Sequence, residues 1–353
     1  MKRLWALFLV LMILSATVLA GCDLIKLPKL LPTEAASDGD SSTGETVDGG
    51  EEATQAPDPV GPLSLSAFTA TVGDYELSFE PVDLGVVEGG DGKGDFACDY
   101  YEGKFYLCDK NSMKVYVYSL DGAEATLDNT YEFDKGFEKI TVNHDGCVLL
   151  SQGIFAAYEL LGDGTFEELP FKHDLECSKL QDFAAITWVN ADPTIIIDGV
   201  EQEWVFKNIN DNEKREGNLA MVFDCEIAGE DVLIGGTFVE NGEEDYRIGI
   251  FDYDGNQLYM TAVDDSVGYS ALNETSNGII SANVNTLYLH DRECNPLGKS
   301  DNLKTLAGFD GEDVRTFWVK EFVLGDNDDV YMLVYASKAD YSSEALLYRV
   351  TGF

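Results

Sequence analysis

Histidine is nearly missing from this chain, with only His144, His173 and His290 in 353 residues. One precedes an Asp-Gly turn, one falls in a loop and one ends a strand-like stretch. That scatter argues against a histidine-built zinc or copper centre and against a Ser-His-Asp machine. Positive charge is scarce as well: 23 Lys and Arg stand against 65 Asp and Glu, a formal net charge of −42. Nucleic-acid phosphates need Lys and Arg to meet them, so nucleic acid is excluded as a partner, and broad docking on anionic lipid is disfavoured. Cationic partners, divalent metals and neutral ligands remain, and much of the charge serves solubility. Also absent are G-x-S-x-G, H-E-x-x-H, a P-loop, any C-x-x-C pair and sustained helical periodicity. No catalytic residue is nominated, and the balance leans away from an enzyme.

The first residues carry the most specific signal. Met1-Lys2-Arg3 is a short positive segment, Leu4 to Ala20 is an uncharged apolar run, and Leu19-Ala20-Gly21-Cys22 closes it. This is the layout of a secretory signal peptide over residues 1–21. Its end resembles the lipobox of bacterial lipoproteins. That resemblance implies lipidation of the Cys22 thiol, cleavage before it, and a location on the extracytoplasmic face of the cell membrane. Two or three acyl chains, at roughly 0.8 kcal/mol per buried methylene, would anchor the chain stably. An uncleaved spanning anchor is the alternative.

Residues 22–62 read as an acidic tether. Pro32 to Pro59 has no aromatic residue and almost nothing to bury, so it is expected to be disordered. Forty such residues span roughly 35 Å on average. The remainder, 63–353, holds most of the 17 Tyr and 19 Phe and can build a large core.

Within 63–353 a unit recurs. Phe96–Cys108, Glu138–Leu150, Met221–Ile234, Tyr269–Ser281 and Lys320–Leu333 each show an alternating strand, a tight Asp/Asn/Gly turn and a largely apolar strand. A weaker copy runs Lys179–Val189. Third strands ending in polar turns follow at Val115, Ala156, Ile248, Thr286 and Leu346, and shorter fourth strands at Thr130 and Phe166. The turn residues suit hairpins, and the pattern is all-β with no substantial helix. Spacing of roughly forty residues is that of propeller blades. The pattern resembles a six-bladed β-propeller of the NHL, gluconolactonase and low-density-lipoprotein-receptor superfamily, with six four-stranded blades expected. Residues 64–80 read as extra strands that complete the last blade and close the ring; a seventh blade follows if they form their own sheet.

Six cysteines lie beyond Cys22. Cys98 and Cys108 would face each other across a three-residue turn at Glu102-Gly103-Lys104, and a two-residue turn would put them on opposite faces. Most of the thiols are expected to be unpaired. Asp252-Tyr-Asp254-Gly and Asp326-Asn-Asp328-Asp329 offer oxygen ligands for Ca²⁺, although Asx-type turns account for both. No other cofactor is indicated. The glycine-dense stretch Leu84–Asp95 is either a flap at a channel mouth or an inter-blade connector. Trp188, Trp204 and Trp318 are expected in inter-blade core, or one of them as a sugar platform. Leu161–Phe166 faintly echoes a sialidase Asp-box. The combined expectation is a membrane-tethered, non-enzymatic propeller that binds a protein or cell-envelope partner. A calcium-dependent, lactonase-like hydrolase and a carbohydrate- or small-molecule-binding lipoprotein are the alternatives.

Overall fold

The alternating patterns become sheets arranged in a ring. The computed structural model describes residues 60–353, apart from 90–95, 154, 171–173, 178–184, 190–191, 198–199, 203–217, 229–230, 241–242, 263–270 and 312. The expected signal peptide, Cys22 and most of the tether therefore lie outside the described residues, as do His173 and Trp204.

Five sheets have four strands each, paired antiparallel in chain order. Blade 1 is Phe96–Tyr101, Lys104–Asp109, Lys114–Asp121 and Glu124–Glu132; blade 2 is Lys139–Val142, Val148–Ser151, Ala157–Leu160 and Phe166–Glu168. Blade 3 is Asp174–Cys177, Ala185–Val189, Asp192–Ile197 and Val200–Gln202. Blade 4 is Asn218–Ala228, Asp231–Glu240, Glu243–Asp252 and Gln257–Ala262, and blade 5 is Ala271–Thr275, Gly278–Asn283, Thr286–His290 and Pro296–Lys299. A closing sheet begins with Val314–Leu324, Val330–Lys338 and Ser343–Thr351. The first strands adjoin one another in order, and that of the closing sheet returns to Phe96–Tyr101. The fold is an all-β propeller. Its only helices among the described residues are the single turns Leu303–Leu306 and Asp326–Asp328.

The closing sheet joins the two ends of the domain. Tyr75–Val82 pairs with Ser343–Thr351, Ser78 opposite Thr351 and Val82 opposite Leu347, and Phe68–Val72 adds outside it. Glu88–Gly89 also pairs with Ser343–Glu344. The N-terminal strands thus close the ring and form no sheet of their own. The expectation of six four-stranded blades is corrected here: five sheets have four strands, and the closing sheet has six. Pairing both chain ends into one sheet leaves no terminal strand edge at the seam.

A sheet flanked by neighbours on both faces has no wet side, which is why the second strands are almost wholly apolar. Val148–Ser151 and Gly278–Asn283 are buried at every position. Phe105 and Leu107 pack with Leu333 and Leu347 of the closing sheet. Val115 and Val117 pack the other way, with Ile140 and Leu150 of blade 2. Each such fully buried side chain contributes roughly 1.5–3 kcal/mol.

Three expectations need correction. Tyr101 pairs with Lys104, so the turn is the two-residue Glu102-Gly103, with φ of 44° and 79°. Positive φ at both positions is the primed hairpin turn that matches strand twist. Cys98 then faces the closing sheet and Cys108 faces blade 2, and neither forms a disulfide. The weak copy at Lys179–Val189 also shifts: the inner strand of blade 3 is Asp174–Cys177, and Ala185–Val189 is its second strand. Lastly, Trp318 is 39% exposed instead of being core, with Lys320 Nζ 4.9 Å over its ring. Trp188 lies in a blade 3 strand.

Leu84 and Val87 are buried in the core between the closing sheet and blade 1, and Tyr118 donates to the Leu84 carbonyl at 3.1 Å. The start of the glycine-dense stretch is thus a packed connector. Residues 60–63 are held too. Lys338 is buried with Glu344 at 2.7 Å and donates to the Val60 carbonyl at 3.3 Å, while the Val60 and Leu63 amides donate to Asp340 and Glu344.

Gly73 makes the turn between the two N-terminal strands at φ 59°, against blade 5. A Cβ there would run into the Leu297 carbonyl and the facing Gly298. Gly73→Ala should cost roughly 2 kcal/mol or more through clash and left-handed strain together. Thermal unfolding of the variant checks this, and an unchanged midpoint would mean the strap is not fixed against blade 5.

Candidate functional site

Every innermost strand has one edge with no strand beside it, and the N–H groups along that edge need acceptors. The chain supplies them from the neighbouring blade. Asp99 accepts from Val142 N at 2.6 Å, Thr141 Oγ1 from Cys177 N at 3.1 Å, Asp224 from Leu272 N at 3.0 Å, and Glu321 from Cys98 N at 2.6 Å. Between blade 5 and the closing sheet the polarity reverses: Asn273 donates to the Phe322 carbonyl at 3.0 Å. At five of the six junctions one polar side chain therefore ties an inner strand to the next.

The cost of this device is a concentration of negative charge. Asp99, Glu176, Asp224, Glu226 and Glu321 are all buried near the axis. Lys139, at the start of the blade 2 inner strand, lies 2.7 Å from Glu321, 3.4 Å from Glu176 and 3.8 Å from Asp224. Burial alone would push its ammonium down, but Glu321, Glu176, Asp224 and Glu226 outweigh that and hold it well above its ordinary value. Burial lifts Asp224 to about 6 against the pull of Lys139. Burial and then Glu176 raise Glu226 well above the usual carboxylate range. The Cys98 and Cys225 thiols are pushed up, mainly by burial and then by these carboxylates, so neither is a ready nucleophile.

Asp99, Glu176, Glu226 and Glu321 line a cavity of about 60 Å³. Ile227, Asn273 and Leu324 border both it and a wide vestibule of about 860 Å³ where the inner strands end. The vestibule is lined by Tyr100, Tyr101, Glu102, His144, Glu274, Arg292, Asp326 and Asp328 among others. The site is a funnel with a tyrosine- and acid-lined mouth and an acidic throat.

The residues singled out in the sequence distribute unevenly around it. His144 reaches the mouth, half-exposed, with its carbonyl accepting from the Tyr101 hydroxyl at 2.5 Å. His290 is buried in blade 5, and burial pushes it down to about 4. Asp252 is not part of the mouth; it accepts from Asn256 N at 2.7 Å and Nδ2 at 2.8 Å. Asp326 accepts from the Tyr100 hydroxyl at 2.7 Å, and Asp329 pairs with Arg349 at 2.8 and 2.9 Å. In both acidic turns considered for calcium, one or more carboxylates therefore already accept from protein donors. Among the described residues no group of three or more His, Cys, Asp or Glu is arranged to hold a metal. Asp163 of the Asp-box echo accepts from Thr165 within its own turn.

Sequence reasoning missed Lys139 and Glu226, although both lie in stretches it stacked. The usable signal was a polar residue inside each inner strand, flanked by apolar neighbours.

No protein-family model and no curated protein sequence matches the chain. Among solved structures it is similar to the WD40 β-propeller domain of Doa1, at 11% identity and a TM-score of 0.46, over 80% of this chain and 97% of that one. A chain of the mitotic checkpoint complex is similar at 9% identity and a TM-score of 0.47, over 82% and 98% respectively.

Proposed function

We propose that this chain is an extracytoplasmic lipoprotein, anchored in the membrane through Cys22, whose propeller binds a protein or cell-envelope partner at the channel mouth without chemistry of its own. Its repeat resembles the blade pattern of the NHL, gluconolactonase and low-density-lipoprotein-receptor propellers, and that resemblance is the ground for grouping it with them. The observation that carries the binding reading is the vestibule of about 860 Å³, with Tyr100 and Tyr101 beside acidic groups. Aromatic rings with polar tips, set in a concavity on a rigid ring, suit recognition. The calcium-dependent hydrolase alternative has less support, because Asp252, Asp326 and Asp329 already accept from protein donors.

Two measurements test this. Expressed in a bacterium with a clickable palmitate analogue, the full chain should take up label, and Cys22→Ala should lose both label and membrane retention. A photo-crosslinking residue in place of Tyr101 should trap a discrete partner in intact cells, whereas one in place of Leu258, on the outer edge strand, should not. Equal trapping at both positions would remove the mouth from the proposal.

A further inference from the structure

Five carboxylates and one ammonium meet in the channel, and four of the five carboxylates are engaged. Asp99 and Asp224 accept backbone N–H groups, Glu321 accepts from Cys98 N and Lys139, and Glu176 accepts from Thr141 and forms an ion pair with Lys139. Glu226 is different. It is only 9% exposed, and among the described residues it has neither a hydrogen bond nor a salt bridge. Its side chain lines the small cavity, which shares Ile227, Asn273 and Leu324 with the vestibule.

We propose that the mouth takes the primary ammonium of a lysine side chain from a basic partner and seats it in the cavity against Glu226. This rests on the partner-binding reading and names the chemistry of the partner. Lys139 acts on Glu226 only through space, so this buried carboxylate still has room for a cation or donor in direct contact. The channel already shows how it holds an ammonium, since Lys139 sits between carboxylates at 2.7 and 3.4 Å. A cavity of about 60 Å³ admits the tip of an unbranched chain. A lysine ammonium is a compact point charge on such a stem, whereas a guanidinium is a broad planar fork. Nor is a divalent metal favoured, for want of a three-ligand group among the described residues. At the mouth, Glu102, Glu274, Asp326 and Asp328 outnumber Arg292, which steers a basic segment inward.

Around Glu226 stand Glu176 of blade 3, Asp224 and Cys225 of its own strand, Glu321 of the closing sheet, Lys139 of blade 2, and Asp99 and Cys98 of blade 1. Within that set Glu226 keeps its proton to higher pH than an ordinary carboxyl. An arriving ammonium then displaces a proton, and binding tightens as pH rises through the raised value.

The test is calorimetry on the full chain in detergent, with acetyl-Gly-Gly-Lys-Gly-Gly-amide, its Nε-acetyl form and calcium chloride as separate probes. The lysine peptide should bind and release about one proton, read from the difference between phosphate and Tris buffers. The Nε-acetyl peptide should not bind, a comparison that needs no variant. Glu226→Gln should weaken the lysine peptide at least roughly tenfold and abolish proton release. Equal binding of both peptides, undiminished binding to Glu226→Gln, no binding at millimolar peptide, or calcium competing for the site would each overturn the inference. A partner trapped at Tyr101 together with no lysine-peptide binding sinks this inference and leaves partner binding standing. Loss of both sinks both.

Discussion

Replacing Lys139 by methionine should lower the unfolding free energy by about 3–5 kcal/mol at pH 7.5, and the melting temperature by roughly 10 °C. Methionine fills similar space, so the loss is electrostatic. Glu321 and Glu176 lose an ammonium at 2.7 and 3.4 Å, and Asp224 one at 3.8 Å, while their positions next to one another are unchanged. Asp224, which burial already lifts to about 6 against the pull of Lys139, is then raised further above its unfolded value. For carboxylates shifted in that direction, the stabilising contribution is full at low pH and is lost as pH rises. The deficit of Lys139→Met should therefore shrink at pH 5. Urea unfolding at pH 5 and 7.5 measures both effects. Lys139→Met with Glu321→Gln should recover part of the loss, because glutamine still offers an acceptor to Cys98 N without the charge. An unchanged midpoint at pH 7.5 would mean that solvent screens the cluster and that Lys139 contributes nothing to ring closure.

That experiment probes the step the sequence made hardest to see. The hairpins were legible because their signals are local: Glu102-Gly103 supplies the positive φ of a tight turn, and the strand after each turn is apolar because both of its faces are covered. Ring closure was legible because residues 64–80 read as extra strands outside the recurring unit. What failed was local too. The blade 3 inner strand Asp174–Cys177 is four residues with two acids, too short and too polar to show a period, so the weak copy settled one strand downstream. The disulfide question turned on whether the hairpin loop had two residues or three, which decides the face that Cys108 takes. The funnel stayed hidden for another reason. With 65 acidic residues in the chain, a buried carboxylate looks like a solvated one. Glu226 and Glu176 lie fifty residues apart in sequence and become neighbours only when the ring closes. The trace they leave is columnar: Asp99, Thr141, Glu176, Asp224, Asn273 and Glu321 fall inside successive inner strands, where an apolar residue would pack as well. Alternation predicts which face such a residue takes; the need to satisfy a free strand edge explains why it is polar.

Glu226→Gln should move stability the other way, gaining on the order of 2 kcal/mol at pH 8 by relieving a buried, unpartnered carboxyl. The dependence on pH separates this from a packing effect. Glu226 is raised by burial and by Glu176, so the folded state holds its proton after the unfolded chain has released it. The stabilisation from that proton is complete below about pH 4.5, the unfolded value, and is lost as pH climbs through the folded one. Glutamine removes the titration and offers an amide N–H₂ to the surrounding carboxylates. The two proteins should therefore be nearly equal in stability at pH 4 and diverge steadily towards pH 8, as chemical denaturation at pH 4, 6 and 8 would show. A flat, pH-independent difference would mean that Glu226 is ionised and hydrated in the folded chain, with water in the cavity standing in for a partner. Divergence with pH would show that Glu226 makes the channel less stable than it need be. That is the behaviour of a carboxylate whose complement arrives with a partner, since residues that conflict with local stability concentrate at functional sites.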